Sequence, residues 1–405
     1  MTDKSKHIPQ GYKESPLGII PKEWEVKRLG EVCTFLDSQR IPIKDADRGK
    51  MRGKYPYYGA SGIIDYVNDY IFDDDLILLG EDGANIIMRS TPLAFLISGK
   101  VWINNHAHVL KTKSGFSRYY LCNYLESLSY DKYNTGTAQP KLNREVCEKI
   151  PILLPPEEEQ NNISELLITW DTAIEKQSKM IEKLKLRKRA LMQQLLTGKK
   201  RLPGYSGEWK EVKLGDIGEM FKGSGVPKDS IIEAGHKCLT YGDIYTKYDY
   251  VISNVKSYIN DDIASKSTKI QYGDICFAGS GETKEEIGKC AAFIDAHYGY
   301  AGGDIIIFRA IESNPITLSY ILNSDSVIRQ KSNMGQGHSV VHIYPYQLEK
   351  LRFKLPPKVE QDTIASILMD ADKEIELANE KLACLQSQKR GLMQQLLTGK
   401  KRIKL

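Results

Sequence analysis

The eleven residues LMQQLLTGKKR occur twice in this 405-residue chain, at positions 191–201 and 392–402. An identical run of that length marks a duplicated architecture. The likeness continues upstream at a constant offset of 201, where Leu154-Pro155-Pro156 matches Leu355-Pro356-Pro357 and Glu159-Gln160 matches Glu360-Gln361. Lys188-Arg189 matches Lys389-Arg390 at the same offset. Farther upstream, Glu23-Trp24 and Leu29-Gly30 match Glu208-Trp209 and Leu214-Gly215 at an offset of 185. The order is therefore A-B-A′-B′, with B segments that align without gaps and A segments that differ in length by 16 residues. One part is held constant while the other varies.

The B segments read as long helices. After Pro155-Pro156, apolar side chains recur with heptad spacing at Ile163, Leu167, Trp170, Ile174, Ile181, Leu184, Leu191 and Leu195, interrupted by Gln177 and Lys188. The second copy runs Ile364, Leu368, Ala371, Ile375, Ala378, Leu382, Leu385, Leu392 and Leu396, with Lys389 where Lys188 stood. A two-in-seven seam over five heptads predicts a coiled coil. Gly198 and Gly399 supply C-terminal stops, with basic residues after them. A helix from Gln160 to Leu196 would be about 55 Å long at 1.5 Å per residue.

So narrow a seam needs a partner. The economical solution is the two copies packed against each other in one chain, an antiparallel coiled coil with pseudo-two-fold symmetry and an A domain at each end of the rod. The alternative is that each seam meets another subunit. Between Lys176 and Arg201 ten basic residues face one acid, Glu182. That run is a solvated flank, a phosphate-facing stripe or a dock for an acidic partner.

The A segments, 23–150 and 208–350, contain short β-like runs at 75–79, 94–97, 269–277 and 304–308, separated by Gly, Asn and Asp turns. Each carries a helical pattern late, at 117–127 and 315–328. The fold class is α+β: two globular domains separated by two long helices. All 23 tyrosines lie outside the heptad helices, several beside glycine, where they suit strand cores or recognition loops.

Composition narrows the function. The chain is 41% hydrophobic and 27% charged, and no apolar run approaches the roughly 18 residues of a membrane span. The opening MTDKSKHIPQ has no signal-peptide core, so a cytoplasmic address and no membrane partner are expected. Seven scattered cysteines without CxxC spacing argue against a zinc site or a disulfide framework. The net charge of +5 is compatible with nucleic acid without requiring it.

Several stretches approach catalytic motifs. Residues 274–281, DICFAGSG, look like the glycine turn that cradles S-adenosylmethionine, but the Asn/Asp-Pro-Pro-Tyr element such methyltransferases need is missing. Asp274 with Glu282-Thr283-Lys284 mimics a metal-dependent nuclease. Residues 281–289 mimic a phosphate loop in which Thr283 stands at the first Gly and Cys290 replaces the Mg²⁺-binding hydroxyl. The matching stretch 75–83, DLILLGEDG, keeps strand-then-glycine but not the lysine, so a structural strand and turn explain both copies. His106 and His108 lie two apart, as metal ligands on one strand face could, but no third ligand is near; buried or hydrogen-bonded histidines fit better.

With these features in order, the chain resembles the specificity (S) subunit of type I restriction-modification systems over nearly its whole length. The marks are Ile20-Pro21-Lys22-Glu23-Trp24 and Pro203-Gly204-Tyr205-Ser206-Gly207-Glu208-Trp209, each followed by Leu-Gly, at Leu29-Gly30 and Leu214-Gly215. Others are Gly273-Asp274-Ile275 with Gly288-Lys289, and the loop Gly136-Thr137-Ala138-Gln139-Pro140-Lys141-Leu142-Asn143. The Leu-Pro-Pro-x-x-Glu-Gln opening and Leu-Leu-Thr-Gly-Lys-Lys-Arg exit of each helix complete the set. The second domain departs from it, with Gly335-Gln336-Gly337-His338-Ser339-Val340-Val341 in place of the Gln139–Lys141 loop.

The resemblance implies two target-recognition domains (1–155 and 203–356), a central helix (156–202) and a C-terminal helix (357–405), the helices being what the family holds constant. Each domain would read half of a split double-stranded DNA site, and the helices would set the spacer and dock two modification subunits. S-adenosylmethionine, ATP and Mg would belong to partner subunits, the ATP-driven restriction subunit among them, with no cofactor or metal on this chain and no catalysis by it. A 55 Å rod bounds the spacer at about 16 base pairs at ~3.4 Å each, and readers on one face of the duplex favour about 34–36 Å.

Base-edge readout needs polar side chains on loops. The candidates are Glu81, Asp82, Asn85, Arg89, Asn104, Asn105, Thr137, Gln139 and Lys141 in the first domain. In the second they are Lys222, Ser224, Lys228, Ser280, Glu282, Lys284, Gln336, His338 and Ser339. The rivals are a self-contained DNA methyltransferase using the Asp274–Gly281 turn, and a structural dimeriser that touches no nucleic acid.

Overall fold

The computed structural model describes residues 8–337 and 340–403. It forms two units, one built from Met1–Ser178 with Glu380–Leu405 and the other from Lys179–Asn379. Two long helices, α1 (Glu157–Leu195) and α2 (Lys358–Leu396), each contribute one half to each unit. Three glutamates, Glu157 to Glu159, occupy the first turn of α1, where the helix dipole favours negative charge.

Within each unit the two helix halves run antiparallel. In unit 1, Arg402, just past α2, reaches Glu159 at the start of α1, and Lys389 Nζ meets Asp171 Oδ1 at 2.6 Å. In unit 2, Arg201, just past α1, reaches Glu360 at the start of α2, and Lys188 pairs with Asp372. The seam lies where the heptads put it: Ile163, Leu167, Ile181, Leu184 and Leu195 of α1 are buried, as are Ile364, Leu368, Ala371, Ala378 and Leu396 of α2. The lysine interruptions have partners of their own. Asp171 also accepts the Tyr119 hydroxyl, Asp372 that of Tyr320, and Lys188 lies 4.4 Å from the Tyr250 ring centroid. An ion pair at a single seam position fixes register, because any slip strands a charge.

The duplicated motifs close each helix end. Glu360, only 1% exposed, accepts the indole N–H of Trp209 at 3.0 Å and the Arg201 guanidinium at 2.9 and 2.8 Å. Glu159 does the same for Trp24 and Arg402. The neighbouring Gln160 and Gln361 each accept from a backbone N–H of the adjoining head, Ser117 and Asn314, and donate to the carbonyls of Pro155 and Pro356. Gly399 takes φ +69, letting Lys401 N–H reach back to the Gln395 carbonyl. A Cβ there would lie 2.6 Å from Pro21 Cδ. Only glycine ends the helix against the Trp24 side of the head.

The heads share one strand plan. Unit 1 carries β1 (Cys33–Phe35), β2 (Arg52–Gly59), β3 (Gly62–Val67), β4 (Phe72–Asp73), β5 (Leu76–Gly80), β6 (Ala94–Ile97), β7 (Lys100–Ile103) and β8 (Ala107–Thr112). Unit 2 carries β9 (Gly218–Lys222), β10 (His236–Leu239), β11 (Ser257–Ile259), β12 (Thr268–Ile270), β13 (Asp274–Ala278), β14 (Cys290–Phe293), β15 (Gly299–Ala301) and β16 (Ile305–Ala310). The main sheet is ordered β1-β8-β5-β6 in one head and β9-β16-β13-β14 in the other, where Val251–Ile252 adds an edge. The second sheet is β3-β2-β7-β4 against β11-β10-β15-β12, with the parallel pair β2–β7 repeated as β10–β15. β5 and β13 are buried along their whole length, which explains their unbroken apolar runs.

Two segments differ from the sequence expectation. The run 269–277 is two strands in different sheets, β12 and β13, split by a turn at Gly273 with φ +95. The pattern 315–328 breaks at Asn323-Ser324 into helices Pro315–Leu322 and Asp325–Met334.

Glu360→Ala strands an indole N–H and a guanidinium around a buried gap. It should cost unit 2 about 2–4 kcal/mol. Urea unfolding followed by tryptophan fluorescence measures this; the same change at solvent-facing Glu376 should stay within about 0.5 kcal/mol.

Candidate nucleic-acid interface

In unit 1 the central strand β5 leads out through Glu81 and Asp82, and two other segments meet it there. The β7–β8 turn bonds it through Glu81 N–H to the His106 carbonyl at 2.9 Å. The loop 136–143 pairs with it through a bridge between Asp82 and Lys141, and Leu142 N–H bonds the Glu81 carbonyl at 2.7 Å. Gly136 turns this loop so tightly that a Cβ would lie 1.8 Å from the Gln139 carbonyl oxygen. Thus Glu81, Asp82, Asn104, Asn105, Thr137, Gln139 and Lys141 come together at one end of the main sheet.

Their exposure sorts them. Asn105, Thr137, Gln139 and Lys141 are exposed and carry donors and acceptors of the kind that base-edge readout requires. Asn104 is buried and accepts the His106 N–H. Glu81 is held by Arg40 at 2.7 Å and Lys141 at 3.5 Å, and Asp82 by His106 at 3.0 Å. Asn85 and Arg89 behave differently. Asn85 locks its own turn through Thr91 and Ser90, and Arg89, at φ 51, turns inward to the Glu126 carboxylate at 2.8 Å.

Unit 2 repeats the backbone frame with other side chains. Gly279 N–H bonds the Asp304 carbonyl, Ile343 N–H bonds the Gly279 carbonyl, and Ser280 pairs with His342 as Asp82 pairs with Lys141. Ser280 is buried, its hydroxyl 2.9 Å from His342 Nδ1. Gln336 bridges His342 through the backbone, and Glu282 and Lys284 are exposed on the outgoing loop. Lys222 and Ser224 stand two strands away, at the end of β9, where Ser224 hydrogen-bonds Thr268 at 3.0 Å. Lys228 begins the short turn Lys228–Ser230. His338 and Ser339 lie outside the described residues.

Sequence reasoning missed Arg40 and His342. Arg40 joins the Glu81 carboxylate to the Ala107 carbonyl, each at 2.7 Å, across separations no local pattern reveals. The aspartate shared by two of the catalytic look-alikes resolves as structure: Asp274 is buried and bidentate to Arg309 at 2.7 and 2.8 Å.

His108 is buried at the centre of this end of unit 1. Its Nδ1 lies 2.7 Å from Asp37 Oδ2 and its Nε2 2.7 Å from the Leu142 carbonyl. Burial alone would lower its pKa; hydrogen bonds and charge from Asp37 and Cys147 override that and lift it from 6.5 to about 10. Burial likewise opposes ionisation of Asp37, but the His108 hydrogen bond and charge, the Val109 N–H and Arg40 hold its carboxyl below the usual range.

Residues 21–186 and 206–387 match the model of the type I restriction modification DNA specificity domain. A putative type I restriction enzyme specificity subunit of Haemophilus influenzae is 28% identical over 382 residues, covering 91% of this chain and 93% of its own. The MjaVIII specificity subunit of Methanocaldococcus jannaschii is 25% identical over 435 residues, 98% of each chain. In fold, the chain resembles the crystal structure of the type I restriction-modification S subunit from M. genitalium, with a TM-score of 0.59 at 13% identity over 92% of this chain and 96% of that one. A chain from a structural study of complex assembly in the type I system gives 0.55 at 16% identity over 94% and 99%. The class so defined is a DNA-recognition component without catalysis of its own. The chain belongs to the type I restriction modification DNA specificity domain family.

The raised pKa of His108 makes the stability of unit 1 pH-dependent. Its contribution is complete below about pH 6.5 and is lost as pH rises through about 10. The urea midpoint of unit 1 should therefore fall between pH 7 and pH 10, and His108→Leu should flatten that slope.

Proposed function

We propose that each head reads one half of a split, asymmetric DNA sequence, and that α1 and α2 set the length of unread DNA between the halves. The helices dock two modification subunits, which carry S-adenosylmethionine, and restriction subunits using ATP and Mg join the same assembly in the cytoplasm. This chain binds none of those cofactors. One observation carries the reading: a like backbone frame at the exits of β5 and β13 pairs Asp82 with Lys141 in one head and Ser280 with His342 in the other. A shared frame with different side chains suits two readers of the same kind that recognise different bases. The equal helix lengths, 39 residues each, suit a spacer set by matched parts.

The similar chains are themselves specificity subunits, and one was solved in work on assembly of the type I system. The methyltransferase reading finds no such support, and titration of S-adenosylmethionine into the isolated chain should give no micromolar binding.

Methylome sequencing of cells with and without this chain reports the motif directly, and footprinting of the chain with its modification subunits should protect two separated blocks. Exchanging residues 136–143 for another loop should change the bases read in one half only. Inserting four residues into α1 and α2 at matched heptad positions should lengthen the gap by about two base pairs, from ~1.5 Å per residue against ~3.4 Å per pair. Altered half-site bases with an unchanged gap would contradict the spacer assignment.

A further inference from the structure

We infer that His108, as a charged imidazolium bridging Asp37 and the carbonyl of Leu142, is the positioning residue that sets the recognition loop 136–143 of the first head. The inference rests on the reading that this loop faces DNA. It goes beyond that reading by naming what holds the loop of this head.

The geometry dictates the charge state. Both partners of the ring, at 2.7 Å each, are acceptors: a carboxylate oxygen and a backbone carbonyl. A neutral imidazole has one N–H and would set a bare lone pair against one of them, whereas the imidazolium donates to both. The ring is 1% exposed, so water cannot substitute. Every packed element supplies a group that faces it. Asp37 and Arg40 come from the turn after β1, Glu81 (3.8 Å from Nδ1) from the exit of β5, and Cys147 from the helix Arg144–Glu148. Phe35 of β1 packs edge-on at 5.7 Å. The cations and anions alternate, which is what lets a charge persist at this depth.

Several bonds hold the loop: Pro140 accepts the Gly83 N–H, Lys141 bonds Asn134 and Thr135, and Leu142 ties it to the exit of β5 and to β8. Leu142 gives its carbonyl to His108 and its N–H to the Glu81 carbonyl, and its side chain is fully buried. Lys141, next to it, is exposed and bridges Asp82. Releasing the Leu142 carbonyl removes a tie between the loop and β8 directly beside Lys141, a side chain placed to meet bases. In the second head the strand position equivalent to His108 is Ile306, opposite Phe277 as His108 is opposite Leu79. Ile306 carries no ring nitrogen to form such a bridge, so that head serves as an internal control.

The test uses the full chain assembled with its modification subunits and reads the affinity penalty for base changes in each half-site. His108→Asn keeps an amide donor toward Asp37 but cannot reach Leu142; His108→Gln places its donor on the Leu142 side. The Asn variant should lose discrimination in the half-site of the first head by about tenfold or more, the Gln variant by no more than about threefold, with the other half-site unchanged in both. In the wild-type chain, discrimination at that half-site alone should decline between pH 8 and pH 10. Ring-nitrogen NMR at pH 8, assigned by the signal His108→Gln removes, should show both nitrogens protonated. A neutral ring, or an Asn variant that discriminates fully, overturns the inference whether or not other variants fold. A wild-type chain that discriminates in neither half-site instead overturns DNA reading itself.

Discussion

A buried carboxylate at the start of each long helix holds the molecule's parts in place. Glu159 and Glu360 each bind a tryptophan from a head and an arginine from just beyond the other helix. Taking such a carboxylate out of water is costly unless every lone pair is met, and here indole and guanidinium meet them together. The requirement explains why Glu-Trp, Glu-Gln and Gly-Lys-Lys-Arg are duplicated as a set. They are the three sides of one joint, and removing the glutamate leaves both donors unsatisfied.

The long helices were legible because their signal is local: a seven-residue period, a proline pair before and a glycine after. The antiparallel choice follows from the same repeats once the exit of one helix needs the opening of the other. The ends of that joint are less visible, since Trp24 and Arg402 stand at opposite extremes of the sequence. In the heads, period-two patterns marked strands but not their sheets, so 269–277 read as one run although Gly273 divides it between two sheets.

The candidate site was half legible for a similar reason. Loop residues such as Gln139, Lys141 and Asn105 announce themselves by residue type, and they do reach one surface. Whether a polar residue faces outward or inward depends on distant partners. Arg89 turns in because Glu126 waits for it, and Asp274 is consumed by Arg309. His108 read only as one of two closely spaced histidines, until Asp37 and Leu142 gave both of its nitrogens an acceptor. The common frame beneath both heads shows why side chains there can vary: strand exits and backbone bridges carry the fold, so the tips are free of that duty.

The division of the chain into units has a temporal side. Unit 2 is one uninterrupted stretch, Lys179–Asn379, whereas unit 1 lacks its second helix half until Glu380–Leu405 is available. On a ribosome, the head made first is thus the one finished last, with Trp24 and the apolar face of α1 uncovered while some two hundred later residues emerge. Domains generally mature in order of synthesis; here the stretch that completes the first head is the last to be made.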